Sequence, residues 1–178
     1  CVAENLKDSI IRKLSVLRGE RFYGGHRALS LATMSFGPTH VVQGHRGPRE
    51  LHRFVLHIDC PWRLRRGETL LVGSQDRYAA ARGLDPDDPA VDVDSPGATR
   101  WDERMGEFRT EAERTEYVVE GVDADEVGGL AIRMRGPLLL EVFPAGTDRE
   151  RPCEHWRFFE TGSEARHFVV TAAGLNPE

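Results

Sequence analysis

The later part of the chain breaks into apolar runs of five or six residues, at 117–122, 130–134, 138–143, 155–160 and 167–171, each bounded by Gly, Pro or Asp. Runs this short are strand-sized. Most of the gaps between them are too short for the crossover that joins parallel neighbours, so consecutive strands are expected to pair antiparallel, as a meander.

The earlier part adds a helix and more strands. Val2, Leu6, Ile10, Ile11, Leu14 and Leu17 recur at three- and four-residue steps, the spacing of one helical face, so an amphipathic helix is expected over residues 2–17. Gly19 and the Gly24-Gly25 pair are expected to end it and turn the chain, residues 28–36 to form a buried strand, and Gly37-Pro38 to stop that strand. Residues 51–60 alternate, with His52, Phe54, Leu56, Ile58 and Cys60 on one face and Arg53, Val55, His57 and Asp59 on the other. A strand at 69–72 follows through a turn at Arg65-Arg66-Gly67, making a hairpin around Trp62.

Residues 74–99 carry Asp85, Asp87, Asp88, Asp92 and Asp94 among Pro and Gly and are expected to be a long acidic loop. Residues 101–115 show a short helical stripe of Met105, Phe108 and Ala112. The sum is a single α+β domain of 178 residues: an N-terminal helix packed on a predominantly antiparallel sheet of about seven to eight short strands.

Composition limits function. No stretch approaches the roughly 18 apolar residues of a spanning helix, and the start lacks a basic segment followed by an apolar one, so a cytoplasmic location without membrane contact is expected. Cys1 would suit a mature lipoprotein, but an irregular start is the simpler reading. A net charge of −5 argues against a nucleic-acid partner, which needs clustered Lys and Arg. All but Lys7 and Lys13 of the 24 basic residues are arginine, read here as base composition rather than mechanism. Cys60 and Cys153 belong to no CxxC motif and suit reduced thiols, with a mutual disulfide left open.

The segments Leu51-His-Arg-Phe-Val-Leu-His-Ile-Asp-Cys-Pro-Trp-Arg63, Leu71-Val-Gly-Ser-Gln-Asp76, Leu138-Leu-Leu-Glu-Val-Phe-Pro144 and Trp156-Arg-Phe-Phe159 resemble a small group of uncharacterised bacterial proteins. The likeness covers about half of the chain. It implies a fold and no activity.

Candidate chemistry is sparse. His57 and Asp59 share a strand face, with Arg53 further along it, and a carboxylate beside an imidazole could orient a general base or complete a metal site. The competing reading is a solvated sheet face. Cys60 points away from His57 on a regular strand, whereas Cys153 and His155 share a side and form a second Cys/His pair. His26, His40 and His45 could gather around a metal, although no HExxH motif is present. The acidic loop invites calcium but lacks the Gly and terminal Glu of an EF-hand. Trp62, Trp101 and Trp156, flanked by Arg63, Arg100 and Arg157, could form an aromatic and cationic recognition surface, or simply pack.

The sequence has no P-loop, GxSxG or GxGxxG motif, and no cofactor is expected. The leading expectation is therefore a non-enzymatic binding protein, immunity-like or regulatory, whose partner is another protein. The alternative is a hydrolase or metal-dependent enzyme using His57 and Asp59, with a Gly-rich loop at 40–47 closing its pocket. A homodimer burying an exposed sheet face or edge strand is a third.

Overall fold

The computed structural model of the chain describes residues 5–85 and 87–176. Among them eleven strands form one continuous antiparallel sheet. In chain order these are β1 (Arg21–Ala28), β2 (Leu31–Gly44), β3 (Gly47–Ile58), β4 (Trp62–Arg66), β5 (Thr69–Gly73), β6 (Tyr117–Ala124), β7 (Leu130–Met134), β8 (Leu138–Val142), β9 (Glu154–Glu160), β10 (Phe168–Thr171) and β11 (Gly174–Asn176). Their spatial order is β11-β10-β9-β3-β2-β1-β6-β7-β8-β4-β5. The α+β class and the antiparallel sheet hold, but the count is eleven rather than seven to eight, and the expected meander breaks between β8 and β9, which pair with β4 and β3 instead of with each other.

The departures from the expected strands have physical explanations. In β1, Gly24 and Gly25 do not turn the chain; they sit at a bulge between Phe22 and Gly25 in the pairing with β2. Gly24 adopts φ +85°, and a Cβ there would meet the Phe108 and Arg109 side chains at 3.1 and 2.9 Å, so glycine lets a helix lie directly on the strand. Likewise Gly37-Pro38 marks a bulge rather than an end: pairing resumes at Thr39↔His52 and runs to Gly44↔Gly47, so 40–47 is part of a long hairpin and not a loop. β11 is only three residues long, below the length at which an apolar pattern can show.

Helix α1 (Leu6–Leu14) is capped by Asn5, whose Oδ1 accepts from the Asp8 amide at 2.8 Å. Val2 lies outside the described residues. Ile10 and Leu14, with Leu17 in the following 3₁₀ turn (Ser15–Leu17), are fully buried, and α1 lies against β6. A second helix, α2 (Arg100–Arg114), is longer and better defined than its sequence pattern suggested. Thr99 and Asp102 close a capping box at its start, and Trp101, Met105, Phe108 and Ala112 are buried along one face against β1 and β5. Phe108 packs between Phe22 and Tyr117, with ring centroids at 5.6 and 5.3 Å.

The acidic loop is tethered. It begins with a 3₁₀ turn (Ser74–Tyr78), and Ala80 bridges to Thr99 across its neck. Its carboxylates are used locally: Asp85, Asp88 and Asp92 each accept from the amide two residues ahead, at 3.0, 2.8 and 3.0 Å. From β1, the nearly buried Arg27 side chain makes a bidentate ion pair with Asp102 and donates to the Val93 and Ser95 carbonyls at 2.9 and 3.1 Å. One guanidinium thus joins a strand, a helix start and the loop.

Candidate functional site

β5 is the last strand of the sheet, so one of its edges is unpaired. A register shift opposite Leu64-Arg65 leaves Leu71 as the bulged residue and turns Leu70 outward, where it is 64% exposed. Beside this edge lies a groove of about 600 Å³, bounded by the β4–β5 hairpin, Phe143 after β8, and the start of α2. Trp62, Leu70, Leu71, Val72 and Phe143 give it apolar walls. Trp62 is held edge-on against Trp101, with ring centroids 6.0 Å apart, which packs the floor onto α2.

The rim is cationic. Arg63, Arg100 and Arg104 line it, with Asp76 as the acidic member. Asp76 is committed to the Gly73 amide at 2.9 Å. Arg63 donates to Glu141 at 2.6 Å and lies 5.1 Å from the Phe143 ring centre; Arg65 donates to the same carboxylate at 3.0 Å. Those bonds, the one from Arg63 foremost, hold the Glu141 carboxyl below its ordinary range although burial opposes them. Arg104 reaches Glu107 at 3.4 Å, a weak exposed contact, and Arg100 has no ion pair among the described residues.

The sequence-level candidates are partly brought together. Trp62 and Arg63 line the groove and Trp101 supports it from beneath, while Arg53 is elsewhere, bonded to Glu160 at 2.7 Å over the Phe54 ring. Arg100 and Arg104 complete the rim by their i, i+4 spacing at the start of α2, and the relevance of Arg104 was not evident from sequence.

His57 and Asp59 are not joined. His57 lies on β3 opposite Arg157 and edge-on to Phe159 at 5.0 Å; burial, and then Arg157, depress its pKa. Asp59 sits past the end of β3, where its carboxylate accepts weakly from Ser30 at 3.4 Å. Among the described residues the two share no hydrogen bond or ion pair. His26 accepts from Arg109 at 3.2 Å, His40 contacts Thr161 at 2.6 Å, and His45 is in the turn between β2 and β3, so the three occupy separate places. Among the described residues no group of three or more His, Cys, Asp or Glu is disposed to hold a metal.

Cys60 and Cys153 are free thiols. Burial, with Asp59 nearby, pushes Cys60 up to about 12, so it is protonated and inert near neutrality. Within the described residues no helix is long and apolar enough to cross a membrane. The groove thus combines an open backbone edge, an apolar floor and a positive rim. Compared with known proteins, the chain matches no family model, no curated protein and no solved structure.

Proposed function

We propose that the protein is a non-enzymatic binding protein of an immunity-like or regulatory kind, which receives an extended segment of another protein along the free edge of β5. The observation that carries this is the coincidence of an unpaired strand edge with an apolar groove and a rim of three arginines. An edge strand offers its N–H and C=O groups to an incoming strand. Alternate side chains of that strand would face Trp62, Val72 and Phe143, and acidic residues between them would meet Arg63, Arg100 and Arg104. Arg100, without an ion pair of its own, is the cation best placed for a partner carboxylate.

A random peptide library displayed on phage, selected against the purified chain, tests this directly. Peptides alternating apolar and acidic residues should be enriched, and their binding should be lost on Leu70→Pro, which blocks the exposed edge, and on the double change Arg100→Glu, Arg104→Glu. Enrichment of peptides indifferent to all three changes would overturn the reading. So would concentration-dependent dimerisation abolished by Leu70→Pro, because the edge would then serve a second copy of the chain.

A further inference from the structure

The rim arginines of the β5 groove gather at one end of the strand. Arg63 is paired across from Gly73, the last residue of β5. The chain then enters the 3₁₀ turn at 74–78, and the Arg100 amide donates to the Ala79 carbonyl at 2.8 Å, which ties the start of α2 to this same end. Arg104 stands one helical turn further along α2. Three guanidinium groups thus meet Asp76 alone among the acids lining the groove, and Arg100 has no ion pair among the described residues.

The opposite end of β5 carries the opposite balance. Arg66, paired across from Thr69, is already engaged by Glu111 at 2.5 Å and by the Tyr117 hydroxyl at 2.6 Å, and Arg65 is engaged by Glu141. Glu68, in the turn that enters β5, is exposed and has no ion pair among the described residues. The uncompensated charge at the Thr69 end is therefore negative. Apolar surface, by contrast, runs the length of the groove, from Trp62 and Phe143 at the Gly73 end to the exposed Leu70 beside Thr69.

Every pairing between the named strands is antiparallel. An antiparallel ladder is also slightly more stable per residue than a parallel one. A segment added antiparallel to β5 brings its N-terminal half to Gly73 and its C-terminal half to Thr69. Resting on the role proposed above for this edge, we infer that the segment it receives has a fixed charge order: acidic residues in its N-terminal half, facing Arg100 and Arg104, and a basic residue at its C-terminal end, facing Glu68. The reverse order would set acids against Glu68 and a cation against Arg100. The order of charge, and not its sum, selects the partner and its direction.

The test compares two peptides of identical composition and opposite order, acetyl-Glu-Val-Glu-Val-Thr-Val-Thr-Val-Lys-amide and acetyl-Lys-Val-Thr-Val-Thr-Val-Glu-Val-Glu-amide, whose blocked ends carry no charge. Each is titrated into the intact chain by isothermal calorimetry at low salt. The acid-first peptide should bind about tenfold more tightly or better. The preference should invert in a chain carrying Glu68→Arg, Arg100→Glu and Arg104→Glu, all changes on the protein surface. Affinities equal within about threefold would overturn the inference, since like charges set against each other must tell the two orders apart. So would tighter binding of the basic-first peptide, which would mean parallel addition, or an unchanged preference in the charge-reversed chain. Failure of both peptides to bind up to about 1 mM would instead overturn the role of the β5 edge itself.

Discussion

Replacing Arg27 by Met keeps the length and apolar stem of the side chain and removes only its guanidinium, so it isolates the anchor of the acidic loop. The Arg27 and Asp102 side chains are 7% and 13% exposed, and the pair is bidentate at 2.8 and 2.6 Å. Removing one member of a buried pair costs roughly 3–5 kcal/mol. The low end applies, because Asp102 retains the Thr99 amide and hydroxyl at 3.1 and 2.9 Å, and the Val93 and Ser95 carbonyls can turn to water. We expect a loss of about 3 kcal/mol, and at about 2–4 °C per kcal/mol for a chain of this size the Tm should fall by roughly 6–12 °C. Urea unfolding followed by circular dichroism gives the free energy, and limited proteolysis at Arg82 reports release of the loop. Asp102→Asn should cost a similar amount, and the double variant less than the two together, because each single change strands the other partner. A loss under about 1 kcal/mol with unchanged cleavage at Arg82 would refute the reasoning and reduce the pair to an ordinary surface ion pair.

The same pair sets a pH dependence. Burial raises the Asp102 pKa, but hydrogen bonds from Arg27 and Thr99 outweigh it and leave the folded value depressed. Its contribution is therefore present above the unfolded pKa and lost as pH falls through the folded one, so Arg27→Met should flatten the acid limb of stability below about pH 4. Phe108→Ala, by emptying a fully buried ring site between Phe22 and Tyr117, should cost about 3–5 kcal/mol in urea unfolding. Gly24→Ala should destabilise as well, since its Cβ meets α2 at a left-handed φ; equal stability by thermal melting would contradict that packing. Iodoacetamide at pH 8, followed by peptide mapping, should label exposed Cys153 readily and Cys60 hardly at all, since a thiol with a pKa of about 12 is ionised to roughly one part in ten thousand there.

What could be read in the sequence was local. Met105, Phe108 and Ala112 recur at helical spacing, and 51–60 alternates, so α2 and β3 carry their own signatures. β1 carries none: Gly24 and Gly25 mimic a turn, and only non-local packing explains why two glycines stand inside a strand, since a Cβ on Gly24 would meet α2 and one on Gly25 would meet Thr33 and Met34 of β2. Arg27 and Asp102 are 75 residues apart, and nothing local to either marks the other as its partner. For the groove, the Trp62-Arg63 and Arg100-Trp101 dipeptides were visible, but their meeting depends on β4 pairing with β8 and α2 lying across β5. The Cys153-x-His155 spacing was also visible, but the burial of His155 goes with a bulge in the β9–β10 pairing, which is not local.

The strand order has a consequence for the chain as a whole. β3 pairs with β9, β4 with β8 and β1 with β6, so every one of these seams joins a strand from before the acidic loop to one from after it. Neither segment can complete its hydrogen-bond ladder alone, and folding must wait for distant partners to meet, which makes it slow for a domain of this size. Conversely, a single cut in the acidic loop severs no ladder, and the two fragments should stay together as a noncovalent complex through gel filtration, separating only when the whole sheet unfolds.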